Sequence, residues 1–162
     1  MVGGRIGGFY SLVTVRMAAH TLGGRNYDMA NANLLAILVA AACGFLVGGI
    51  WYGPLFGKAW QHEIGMSDDD LKSANMLKIY GTTFLFSVLS AVALGHLLVH
   101  FGEMSTRSTM MISTGIALGF IAPAIGTNYL FGRKSGKLFA IDAGYWVAFY
   151  AAMGLVFALI GV

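Results

Sequence analysis

Asp142 is the single charged side chain in the apolar stretch from Leu138 to Val162, near the end of a 162-residue chain. An acid inside a membrane-length segment is costly unless it is paired, hydrated or neutralised, and it is by default a candidate for proton or ion handling. Asn128 and Thr127 stand at a similar depth inside the end of the preceding apolar stretch. Trp51 and Tyr52 close the first such stretch, and Tyr145 follows Asp142 within one turn. Together these residues form a candidate polar vestibule, with Asp142 as proton or cation site and the others as its polar wall. The competing reading is an ordinary ion pair of Asp142 with Arg133, Lys137 or Lys58, helped by the positive end of its own helix.

Other groupings are weaker. His96, His100 and Glu103 share one helix face at i, i+4 and i+7, a spacing that could hold a transition metal, but no further ligand is in reach along the sequence. The segment HEIG at His62 lacks the second histidine of a zinc-protease helix, and no serine or cysteine nucleophile stands beside a recognisable base. The expectation is therefore a protein that is not an enzyme and carries no cofactor. Cys43 is the only cysteine, which excludes an intrachain disulfide. The net charge of +3 is spread over short loops, with no dense basic stretch of the kind that binds nucleic acid.

The elements that must position these residues follow from composition. The chain is 57% hydrophobic and 10% charged, with a mean hydropathy of +0.73. A soluble domain carries about a quarter of its residues charged. Leu34 to Gly57, Ile79 to Gly102 and Ser108 to Gly132 contain no charge at all. Each stretch exceeds the roughly 20 residues a helix needs to cross about 30 Å of hydrocarbon. Because lipid leaves no backbone group unpaired and the runs are not alternating, helices are expected rather than a barrel. The fold class is thus all-α, a bundle of four transmembrane helices in two similar hairpins, spanning about 34–56, 79–101, 108–131 and 138–161.

Lys58, Lys72, Lys78, Arg133, Lys134 and Lys137 lie in the loops after the first and third spans, against Arg107 on the other side, joined there by Arg5, Arg16 and Arg25 if residues 1–28 are native, which would leave the bias weak. The positive-inside tendency places those two loops in the cytoplasm. Trp51, Trp60, Trp146, Tyr52, Tyr80, Tyr129 and Tyr145 lie toward the same side, as aromatic rings with polar edges do at the headgroup layer. Trp60, Lys58, Arg133 and Lys137 are the expected interface anchors, with Pro54 stopping the first helix. The loop MSDDDLKSANMLK predicts a short surface helix with Ser67 as N-cap and Asp70 completing it; its aspartates match the helix dipole better than a cation loop. Residues 1–28 carry Arg5, Arg16 and Arg25 and read as a targeting segment, an interfacial arm or an extension upstream of a start at Met29.

Shifting the sequence by 75 positions lays Gly44 to Lys58 on Gly119 to Arg133, including a match of Leu55, Phe56 and Gly57 to Leu130, Phe131 and Gly132. This internal repeat carries a small-residue stripe: Gly44 and Gly48 in the first copy, Gly115, Gly119 and Pro123 in the second, each a candidate helix-packing seam. Pro123 should also kink the third helix.

The segments WYGPLFGKAW, TNYLFG and LFAIDAGYW, with MG later in the last span, resemble the bacterial membrane family of domain of unknown function 1761. The resemblance covers Asn33 to about Gly161, and departs at Gly53, where serine is usual, and Gly132, where an acid is common. It implies a small four-span inner-membrane protein and no assigned activity; members generally begin just before the first span. The functional expectation is a small oligomeric transport or channel-like protein with its vestibule at Asp142, in contact with the lipid bilayer and with a small solute or ion. The rival is a structural or accessory membrane subunit. A homo-oligomer is expected because four helices enclose little space.

Overall fold

A computed structural model describes residues 33–162, so the segment 1–28 and its competing readings lie outside the described residues. Six helices follow in order: α1 (Leu34–Leu55), α2 (Gly57–Ile64), α3 (Asp68–Ser73), α4 (Met76–His100), α5 (Thr106–Phe131) and α6 (Gly136–Ile160). Of these, α1, α4, α5 and α6 are long and apolar enough to cross a membrane. This is the architecture of a multi-pass membrane protein.

Most helix starts are written in the sequence. The Asn33 side chain accepts from the backbone N–H groups of Leu35 and Ala36 at 3.1 and 3.2 Å. Ser67, Asn75, Ser105 and Ser135 cap α3, α4, α5 and α6 in the same manner, each taking an otherwise orphaned N–H. At α3 the cap is reciprocal, with the Asp70 carboxylate accepting from the Ser67 N–H at 2.8 Å. The neighbouring aspartates are also accounted for, Asp68 by Lys58 at 2.8 Å and Asp69 by Lys72 at 3.3 Å.

Two helices contain a π turn. In α1 it covers Trp51–Leu55 and includes Pro54; in α5 it covers Ala117–Ile121. Proline crowds the carbonyl four residues earlier and offers no N–H. In α5 the crowded carbonyl, that of Gly119, falls inside the π turn, so the ladder is widened where Pro123 was expected to disturb it. In α1 the chain leaves the helix at Phe56 and immediately starts α2, a helix the sequence reading missed. Gly57 makes that turn possible: a Cβ there would lie 2.5 Å from the Tyr52 carbonyl oxygen.

The spans pack in the order α4, α1, α6, α5. α1 lies against both α4 and α6, and α5 lies against α6. The centre of the core is small on α1 and large around it. Ala36, Ala40 and Ala41 are fully buried beneath Leu94 and Leu98 of α4 and Phe149, Met153 and Phe157 of α6. Where hydrocarbon surrounds the protein, this fit is a van der Waals matter, and small residues permit the close approach. Gly44 shows how close: a Cβ would meet the Phe149 ring at 2.8 Å and the Met153 methyl at 2.9 Å.

The second small-residue stripe is placed differently. Gly115 and Gly119 have nothing within 4 Å of the position a Cβ would take, and Pro123 is exposed. The π turns likewise fall at positions that the 75-residue shift does not superimpose. Similar segments thus occupy dissimilar surroundings, because α1 is sandwiched between two helices while α5 has one neighbour.

Candidate functional site

The π turn of α1 lies at the end of the bundle where Asp142 sits, and its first two residues face α6. In a regular helix successive side chains diverge by about 100°. In the wider turn that begins at Trp51, closed by the Phe56 N–H donating to the Trp51 carbonyl at 2.8 Å, both Trp51 and Tyr52 reach α6. The Trp51 indole N–H donates to the Ile141 carbonyl at 3.0 Å, and the Tyr52 hydroxyl donates to Asp142 Oδ1 at 2.7 Å. Gly144, one turn beyond Ile141, gives the indole its seat: a Cβ there would lie 3.0 Å from Trp51 Cζ2.

From the other flank, Tyr129 of α5 donates its hydroxyl to Asp142 Oδ2 at 2.5 Å. Asp142 is 8% exposed and each of its carboxylate oxygens is held by one phenol, the two phenols coming from different hairpins. No buried side-chain nitrogen or oxygen among the described residues lacks a partner.

An ion pair at Asp142, the competing expectation, is not what is found. Lys58 sits at the start of α2 and bonds Asp68, while Lys137, in the first turn of α6, bonds Glu63 at 3.3 Å. Arg133 forms no salt bridge among the described residues and adopts a left-handed backbone, φ 51°, in the turn between α5 and α6. These cations stay in the surface layer, whereas Asp142 lies a turn deeper.

The six vestibule candidates divide. Trp51, Tyr52 and Tyr145 gather with Asp142: the Tyr145 ring is 5.0 Å from that of Tyr52 and faces Gly48, where a Cβ would be 3.3 Å from its hydroxyl. Thr127 and Asn128 are exposed on α5, with the Thr127 hydroxyl donating to the Pro123 carbonyl at 2.9 Å. Tyr129, which the sequence reading left among the interfacial aromatics, takes the place expected of Asn128. The signal available was spacing: in a helix Asn128 and Tyr129 point to different sides, and only the packing of α5 on α6 selects between them.

The aromatic belt is also more than an anchor. The Tyr52 ring lies 5.5 Å from that of Trp60 on α2 and 5.0 Å from that of Tyr145 on α6, so the rings knit α1, α2 and α6 together. One layer outward, Ser135 caps α6 and also donates its hydroxyl to Glu63 of α2. That hydrogen bond, and after it the bond from Lys137, holds the Glu63 carboxyl below its ordinary range. Asp68 is lowered in the same way by Lys58 and then Gln61. At the opposite end, the His96 and His100 rings lie 4.9 Å apart, and the described residues contain no cluster of three or more metal-ligating side chains that includes them.

A family model described as Protein of unknown function (DUF1761) matches residues 35–158, from the second residue of α1 almost to the end of α6, and the chain belongs to that family. No curated protein and no solved structure matches the chain.

Proposed function

We propose that this DUF1761 member is a structural or accessory membrane subunit in which Asp142 clasps the two hairpins together. One observation carries the reading: both carboxylate oxygens are occupied by hydroxyls, Tyr52 from α1 and Tyr129 from α5, on a residue that is 8% exposed. A carboxylate so engaged is a cross-link. Of the expected polar wall, Thr127 and Asn128 lie on the exposed side of α5, away from the carboxylate. No catalysed reaction forms part of the proposal.

A transport or channel-like role remains as the second reading, favoured by one specific feature: the acid sits inside a span with no cation paired to it among the described residues. Flux measurements on reconstituted vesicles separate the two. For a clasp, the parent protein conducts no ion tried, and Asp142→Asn lowers unfolding stability or assembly. For a transporter, the parent shows pH-dependent flux that Asp142→Asn abolishes.

Self-association belongs to the same proposal, supported by the α5 face bearing Gly115 and Gly119, which has no neighbour within contact of a Cβ. Cross-linking in lipid nanodiscs, with and without Gly119→Leu, tests it. We also propose an inner-membrane location with the α2–α3 side in the cytoplasm. Its support is the set Lys58, Lys72, Lys78, Arg133, Lys134 and Lys137 on that side, and thiol labelling from each side of intact cells reports on it.

A further inference from the structure

The two halves of α5 are held in unequal ways. Thr109, Ser113 and Ala117 are buried in the first half and in the π turn, with Ser113 against Gly154 of α6: a Cβ on that glycine would fall 2.5 Å from the Ser113 hydroxyl. The second half, Ala122–Phe131, buries no residue, and its packing on α6 is sparse. Among the described residues it has one side-chain hydrogen bond to another element, Tyr129 to Asp142, and one close backbone seat, Gly126 under the Phe139 ring.

Between the halves lies a joint made of three features. The Ala117–Ile121 π turn replaces the tight hydrogen-bond ladder with a wider one, Pro123 contributes no N–H, and Gly119 has no atom packed where a side chain would be. A well-packed segment, a joint and a lightly held segment with one polar tie make a hinged element.

We propose that Ala122–Phe131 is a latch over Asp142, turning about the Ala117–Ile121 joint and held shut by the Tyr129 hydroxyl. This rests on the clasp reading and assigns its two arms different roles. Tyr52, whose ring packs against Trp60 and Tyr145 and whose neighbour Trp51 is tied to the Ile141 carbonyl, is the fixed arm; Tyr129 is the one that lets go. Opening frees Oδ2 of Asp142 toward the α2 side while Tyr52 retains Oδ1. The equilibrium between shut and open is then set by one hydrogen bond and one ring contact, so a change at Tyr129 alone shifts it.

Electron spin distance measurements on the full chain in lipid nanodiscs test this, with Cys43→Ala removing the native thiol. One label pair, Leu55→Cys with Leu130→Cys, spans the latch at two exposed positions; a second, Met111→Cys with Leu159→Cys, spans the packed end. With Tyr129→Phe, the first distance distribution broadens and moves to longer values while the second stays as in the parent. With Tyr52→Phe, the first distribution keeps its width. The latch is overturned if Tyr129→Phe leaves the first distribution unchanged, or if both pairs broaden together, which would report general loosening. Should the latch fail in this way while Asp142→Asn still lowers stability, the clasp stands without a moving arm; loss of neither measure on Asp142→Asn removes the clasp itself.

Discussion

Removing the two hydroxyls that hold Asp142 should cost more together than separately. The Tyr52 and Tyr129 hydroxyls donate at 2.7 and 2.5 Å to different carboxylate oxygens of one residue that is 8% exposed. Side-chain hydrogen bonds within membrane proteins average about 0.6 kcal/mol and reach about 1.7, because the unfolded chain in lipid also finds partners. Tyr52→Phe and Tyr129→Phe should therefore each destabilise by about 1 kcal/mol, since the remaining phenol still serves the carboxyl group. The double variant leaves the carboxylate with no donor, which adds the desolvation cost of an unsatisfied group, about 1–3 kcal/mol beyond the two bonds. The expected total is about 3–5 kcal/mol, with a coupling of about 1 kcal/mol or more. Tyr145→Phe serves as control, since that hydroxyl faces Gly48 and makes no bond to Asp142. Reversible unfolding in lipid–detergent micelles, or steric trapping in bicelles, measures all four proteins. Independent sites add within about 0.3–0.5 kcal/mol. A double variant equal to the sum of its singles within that margin would show that the phenols do not share the carboxylate, and the reasoning would be refuted.

Three further outcomes follow from the geometry. Gly144→Ala puts a methyl 3.0 Å from a Trp51 ring pinned by its own hydrogen bond, so it should destabilise by about 1–3 kcal/mol and shift tryptophan emission to the red; unchanged emission would count against the seat. Gly44→Ala should cost about 1–3 kcal/mol against Phe149, whereas Gly119→Ala, with nothing within 4 Å, should be neutral or stabilise by up to about 1 kcal/mol; thermal melts that rank them the other way would contradict the packing order. The Glu63 carboxyl is lowered by Ser135 and Lys137, so its contribution to docking α2 is complete above the unfolded value of about 4.3 and is lost as pH falls through the lower folded value. Hydrogen exchange along Gly57–Ile64 should rise in that acid range, and Glu63→Gln should flatten the profile.

What the sequence determined by itself was the number of spans and their approximate ends. Lipid requires about 20 apolar residues in a row and pairs every backbone group within a helix, so Leu34–Leu55, Met76–His100, Thr106–Phe131 and Gly136–Ile160 can be read along one dimension. Ser67 and Asp70 were equally legible, because a capping box is local. Hydropathy alone carries no rotational phase for a helix that is apolar all round. Only the tertiary structure decided that Tyr129 rather than Asn128 faces Asp142, that tyrosines rather than Arg133, Lys137 or Lys58 satisfy it, and that Gly44 is covered while Gly119 is bare. The part of the carboxylate's surroundings that escaped the sequence is Tyr129, because the rotation of α5 about its axis is fixed by its packing on α6 and by nothing local in the residue pattern. Trp51 and Tyr52 were legible as neighbours of Asp142, whereas their individual bonds, one to the Ile141 carbonyl and one to the carboxylate, are set by the packing of α1 on α6.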